Sequence, residues 1–158
     1  MILNSKVLVA FYSKGGASEK YANIIADTLK DHGYSIEISN LAKAIPDISD
    51  FDTVVVGTGV RMFRVYRRWK KILKQKTLDK KNLYMFLSSG TAIENPDKAV
   101  EKFLKPLVDK FNLKPKSLVS FPGIIPGKWA NQDSEKDTIM PDLAKEWAQV
   151  ISHQIQIK

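Results

Sequence analysis

Residues 6–18, KVLVAFYSKGGAS, put a small, hydroxyl-bearing, double-glycine turn directly after a short apolar run and directly before an amphipathic pattern. Residue types in that order suit the binding of a phosphate. Glycine lets the backbone turn tightly and approach a ligand with no Cβ in the way, and the first N–H groups of the following helix have no partner within it. The aligned peptide dipoles add roughly half a positive charge at that end, so an anion is attracted before any side chain acts. Ser and Gly also serve ordinary strand-to-helix connections, and this segment alone leaves both readings open.

Other chemistries lack their residues. The chain has 158 residues and no cysteine, which removes disulfides, thiolate metal sites and cysteine nucleophiles together. Its two histidines are isolated: His32 stands beside Gly33 at an expected helix end, where a partly charged ring is favoured, and His153 lies near the last residue. Both are read as structural or solvated. Acidic pairs such as Asp50 with Asp52 and Asp133 with Glu135 fall at expected turns, and Ser13 has no visible base, so neither a hydrolase triad nor a metal site emerges. Residues 1–5 are too few for a signal peptide, and the apolar run 7–12 is far short of the roughly 20 residues that span a bilayer. The expectation is a soluble, cytoplasmic protein.

The elements that must position the turn alternate regularly. Strands are expected at 6–13, 34–40, 52–58, 83–88 and 117–121, each short and rich in aliphatic or aromatic residues. Between them run helical stripes. The first carries Tyr21, Ala22, Ile25, Ala26 and Leu29 and stops at Gly33. The second spans about 63–75, with Val65, Trp69, Ile72 and Leu73 on one side. The third opens on Asn95 and Pro96, an N-cap and first-turn pair, and carries Ala99, Val100, Phe103, Leu104, Leu107, Val108 and Phe111. Pro106 within that stripe is expected to kink or divide the helix. The last, about 141–155, is expected to bury Leu143, Trp147, Val150 and Ile151. With 44% hydrophobic residues and no linker or repeat, residues 1–158 read as one domain. The pattern is that of an α/β fold, a three-layer, doubly wound, five-stranded parallel sheet with its site at the carboxyl ends of the strands. Two further loops, Gly57 to Phe63 and Ser88 to Ile93, then border that site, and their mixture of small and larger residues suits the wall of a flat ring.

Three segments together resemble the flavodoxin superfamily: the strand, loop and helix of residues 7–29, GTG at Gly57–Gly59 and SSGT at Ser88–Thr91. The order of elements fits essentially the whole chain. The resemblance implies a flavodoxin-like sheet in the order 2-1-3-4-5 that binds FMN non-covalently. It implies the FMN phosphate at Ser13, Lys14, Gly15, Gly16, Ala17 and Ser18. The isoalloxazine would lie between Thr58, Gly59, Val60, Arg61, Met62 and Phe63 on one side and Ser88, Ser89, Gly90 and Thr91 on the other. GTGVRMF after a VVV strand, with Phe121-Pro122-Gly123, looks most like the branch that includes menaquinone-dependent protoporphyrinogen dehydrogenase. The chain also departs from the pattern. Flavodoxin phosphate loops usually run Ser/Thr-x-Thr-Gly-x-Thr, and here Gly15 replaces the middle threonine. The lost hydrogen bond to a charged group is worth roughly 1.5–3 kcal/mol unless Lys14 or another N–H compensates. The flanking Trp and Tyr of many flavodoxins are not evident, Phe63 and Trp129 being the candidates. Segment 124–138 is shorter than the basic insertion that the dehydrogenase branch associates with membrane and porphyrin.

Charge adds an independent clue. From Arg61 to Lys81 there are ten basic residues and one acid, Asp79, for a net of +9 in a chain of +8. The stretch is either a solvated helix face or a docking surface beside the ring. It suits an acidic redox protein, a carboxylated substrate such as a porphyrin, or an anionic membrane surface where quinones reside. Nucleic acid is not expected, because Trp69 falls on the apolar side of its helix. Arg61 and Arg64 next to the ring would favour the reduced, anionic cofactor, giving a less negative potential and two-electron exchange. The expected function is flavin-linked electron transfer or two-electron oxidoreduction with a quinone-, porphyrin- or protein-type partner, with no side chain singled out as catalytic. The alternative is a flavodoxin-fold interaction module that binds flavin weakly or not at all and docks an acidic partner through its basic helix.

Overall fold

The computed structural model describes residues 6–12, 16–61, 64–65, 67–75, 78, 80–89, 95–122, 124–125, 136–137 and 139–156. Five long strands lie parallel: β1 (Lys6–Tyr12), β2 (Ser35–Asn40), β3 (Thr53–Arg61), β4 (Asn82–Ser89) and β5 (Ser117–Pro122). Their spatial order is β2-β1-β3-β4-β5, the expected doubly wound arrangement. Parallel neighbours need crossover helices, so side chains from both faces of the central strands are buried, which is why VLVAF and VVV carry no alternation.

Alternate residues of those strands feed two cores. On one face Leu8, Ala10, Val54, Val56, Met85 and Leu87 pack against α2 (Arg67–Leu73) and a third helix. On the other, Val7, Val9, Phe11, Val55, Tyr84 and Phe86 pack against α1 (Ala17–Asp31) and α4 (Pro141–Gln156). Each Val, Leu, Met or Phe side chain among them contributes about 1.5–3 kcal/mol of transfer free energy on full burial.

The third helix, α3, is an α-helical turn Pro96–Ala99, a π-helical stretch Val100–Leu104 and an α-helical end Lys105–Lys110. Asn95 caps it by accepting a hydrogen bond from the Lys98 N–H at 3.0 Å. Pro106 cannot donate to the carbonyl four residues back, and the ladder widens into π geometry over Val100–Leu104, just ahead of that residue, instead of breaking. Both long helices whose ends are described close with a reversed turn. The Gly33 N–H bonds Lys30 and the Tyr34 N–H bonds Leu29, with Gly33 at φ 94°. After α3, Asn112 takes the same part at φ 52°, the Leu113 N–H bonding the Val108 carbonyl.

Three expectations need correction. Val150 is exposed; the buried stripe of α4 runs through Ala144, Trp147, Ala148, Ile151 and Ile155, and at about 100° per residue Val150 falls well off its centre. The third strand does not end at Thr58 but continues to Arg61, where it turns back into a two-residue antiparallel strand, Arg64–Val65. The second helix therefore begins at Arg67 rather than 63, because residues 64–65 are held in that hairpin. A second short pair, Ile124–Ile125 with Lys136–Asp137, lies outside the main sheet.

Candidate functional site

The carboxyl ends of β1, β3 and β4 meet at one edge of the sheet in fixed register. Tyr12 lies opposite Thr58, Thr58 opposite Leu87, and Gly59 opposite Ser88. Helix α1 starts at this edge. Gly16 precedes it at φ 88°, a conformation open to glycine and strained for most other residues. As a glycine it brings no side-chain oxygen to the N–H groups of the first turn, and a β-carbon built there would meet nothing within 4 Å among the described residues. Helix, dipole and open approach therefore fit an anion, as a phosphate cradle requires.

Of the cradle residues, Gly16, Ala17 and Ser18 fall within the described structure; Ser13, Lys14 and Gly15 lie outside it. Ala17 and Ser18 are buried. The Ser18 hydroxyl forms a 2.7 Å hydrogen bond with the hydroxyl of Ser88 on β4. Thr58 is buried and donates to the Gly59 carbonyl at 3.2 Å, while Gly59 is half-buried. Val60 and Arg61 are strand residues paired with Val65 and Arg64, not loop residues. Ser88 and Ser89 likewise belong to β4 and are buried. Met62, Phe63, Gly90, Thr91 and Trp129 lie outside the described residues. Both histidines are exposed, and no metal-binding group of His, Asp or Glu is found among the described residues.

The helical stripe of α1 gives no sign of a second role for Tyr21. Its hydroxyl donates to the Pro122 carbonyl at the end of β5 and accepts from the Met140 N–H at 3.1 Å, so it ties three elements behind the cradle. Trp69 on α2 is fully buried with Ile72 and Leu73, leaving Lys71 and Lys74 exposed. Its indole N–H has no hydrogen-bond partner among the described residues.

An open parallel sheet with a glycine-led helix N-terminus at its carboxyl edge defines a doubly wound phosphate-binding protein. Residues 8–128 match the flavodoxin domain, and the chain belongs to that family, whose cofactor is FMN. Among curated proteins it is similar to the NAD(P)H dehydrogenase (quinone) of Nitrobacter winogradskyi, with 28% identity over 92 residues, 45% of this chain and 46% of that protein. The NAD(P)H dehydrogenase (quinone) of Bradyrhizobium sp. strain ORS 278 is 27% identical over the same length and shares. The matched segment spans less than half the length of these relatives. Among solved structures, the flavodoxin of Streptococcus pneumoniae TIGR4 superposes with a TM-score of 0.65 and 17% identity over 95% of this chain and 99% of its own. Rubredoxin oxygen:oxidoreductase of Desulfovibrio gigas gives 0.68 and 15% over 98% of this chain and 37% of its own. At such identities the likeness is one of fold. No helix among the described residues is long and apolar enough to cross a membrane.

Proposed function

We propose that residues 1–158 form one flavodoxin-like domain that binds FMN and passes electrons from a reduced nicotinamide to a quinone-type acceptor. The observation that carries this reading is the meeting of the left-handed Gly16 at the head of α1 with the ends of β3 and β4 at one sheet edge. Membership of the flavodoxin domain family supports the cofactor, and similarity to NAD(P)H dehydrogenases (quinone) supports the donor and acceptor classes.

Gly16, Ala17 and Ser18, with Ser13, Lys14 and Gly15, would hold the phosphate. Residues 58–63 and 89–91 would hold the ring, while the Ser88 hydroxyl is engaged with Ser18 on the phosphate side. Bound FMN supplies the uptake and release of electrons, and the protein sets orientation and charge around it. The α1 N-terminus offsets part of the phosphate charge. Arg61 and Arg64 pair across the hairpin at the end of β3, and positive charge held beside the ring would shift its potential upward. The basic stretch 61–81 offers a docking surface to an acidic redox protein or an anionic membrane surface. The GTGVRMF segment keeps a porphyrinogen as a second substrate class, within the protoporphyrinogen dehydrogenase branch that it resembles.

The test is titration of the purified protein with FMN, followed by absorbance and flavin fluorescence. Saturable quenching at micromolar concentrations or tighter is expected. NADH or NADPH oxidation with a soluble naphthoquinone as acceptor, and separately porphyrinogen oxidation with the same naphthoquinone, then assigns the donor. Absence of FMN binding overturns the reading.

A further inference from the structure

Ser18 and Ser88 are 70 positions apart in sequence, yet their hydroxyl oxygens lie 2.7 Å apart. Both residues are buried, at 1% and 6% exposure. Ser18 is in the first turn of α1, and Ser88 is near the carboxyl end of β4, opposite Gly59 on β3. A β-carbon on Gly59 would stand 3.5 Å from the Ser88 oxygen and 3.7 Å from the Ser18 oxygen. The pair therefore bridges above the backbone of β3, where no side chain intervenes.

Two hydroxyls carry two protons, and one hydrogen bond uses one of them. Among the described residues neither hydroxyl has a further hydrogen-bond partner, so one buried O–H is left to donate elsewhere. A buried donor without an acceptor is costly. An acceptor arrives at this place with an anion in the cradle formed by Gly16 and Ala17, immediately before Ser18.

We infer that Ser88 is a positioning residue for the phosphate: it donates to Ser18, which in turn donates to the anion. This inference rests on the proposed FMN site. Accepting a bond from Ser88 polarises the Ser18 hydroxyl and strengthens its donation. It also fixes which way the Ser18 proton points. The relay supplies from β4 part of what the loop lacks at Gly15, where a threonine hydroxyl is absent. Ser88 thus acts on the phosphate end of the cofactor through α1, although it stands on the strand that leads into the ring-binding loop.

The experiment compares FMN with riboflavin, which has the same ring and no phosphate. Dissociation constants are measured by fluorescence quenching for the wild type, Ser88→Ala, Ser18→Ala and the double variant. Ser88→Ala should weaken FMN about three- to tenfold and leave riboflavin unchanged. In the Ser18→Ala background it should add almost nothing, and Ser88→Thr should restore wild-type affinity. Ser88→Cys, with similar volume and a much weaker donor, repeats the test if Ser88→Ala lowers the melting temperature. Equal weakening of FMN and riboflavin would place Ser88 against the ring and overturn the relay, as would additive losses. Tight FMN binding that ignores Ser88→Ala overturns the relay alone. A wild-type protein that binds riboflavin and FMN equally, or neither, overturns the phosphate site and the relay with it.

Discussion

Phe86 on β4 lays its ring over Gly57, its register partner on β3, in the space that a β-carbon of residue 57 would need. The ring also stands edge-on to Phe121 at 5.9 Å and tilted to Trp147 at 6.0 Å, so it cannot move aside without disturbing β5 and α4. The two glycines of the GTG segment therefore serve different ends. Gly57 makes room for the core, and Gly59 lies beneath the Ser18–Ser88 hydroxyl pair at the site.

Gly57→Ala should overpack this cluster and cost about 1–3 kcal/mol, with a melting temperature lower by several degrees. Gly59→Ala meets only ordinary contact distances and should stay within about 0.5 kcal/mol of wild type. Urea unfolding of the two variants side by side separates them; equal losses would contradict the packing of Phe86.

At Gly16, substitution tests the cradle. Gly16→Ala has open space but must hold φ 88°, at a cost of about 1–2 kcal/mol in stability. Gly16→Asp adds a carboxylate at the head of α1, where it would replace the phosphate. Loss of FMN binding is expected to be much larger for Asp than for Ala, as read by flavin quenching. Similar affinities in both would put the phosphate elsewhere.

Asn112 ends α3 in the left-handed conformation that glycine adopts without cost. Asn112→Gly should therefore be neutral or stabilise by about 0.5 kcal/mol, whereas Asn112→Val should cost about 1–2 kcal/mol. Both should leave FMN affinity unchanged, because this turn joins α3 to the amino end of β5, away from the cradle. Thermal unfolding with a flavin titration checks both parts.

Burial pushes the Tyr84 phenol up from 10.0 to about 12, with a smaller contribution from Tyr34, and its hydroxyl donates to the Gln154 side chain at 2.7 Å. The fold holds the neutral form. The unfolded chain loses that proton first as pH rises, so the stability tied to Tyr84 is complete below pH 10 and declines from there through pH 12. The slope is about 1.4 kcal/mol per pH unit for one proton. Tyr84→Phe should lose this component. Denaturation midpoints of the two proteins between pH 9 and 12 should therefore converge; parallel curves would refute the assignment.

Much of the sheet was legible in residue order because its causes are local. VLVAF and VVV are too continuously apolar for a sheet with one wet face, and Tyr21 to Leu29 repeats at helical spacing before Gly33. Asn95-Pro96 likewise announces a helix start by its own chemistry. Errors arose where a distant partner decided. Residues 59–61 look like loop because Gly59 is small and Arg61 charged, yet pairing with β4 and with Arg64–Val65 holds them as strand. Val150 looks apolar enough to bury, but the faces of α1 and the sheet that α4 meets are already filled by its neighbours.

By itself, the sequence determined the class of protein: alternating strands and helices, a glycine-rich turn ahead of α1, and a basic stretch confined to residues 61–81. These follow from hydrophobic periodicity, backbone freedom and charge, each set within a few residues. Only the tertiary structure decided that Gly57 belongs to Phe86, that Tyr21 joins β5 to the start of α4, and that Ser18 reaches Ser88 across β3. Such contacts depend on strand register, which moves every side chain to the opposite face when it slips by one residue, and no local pattern encodes a partner 70 positions away.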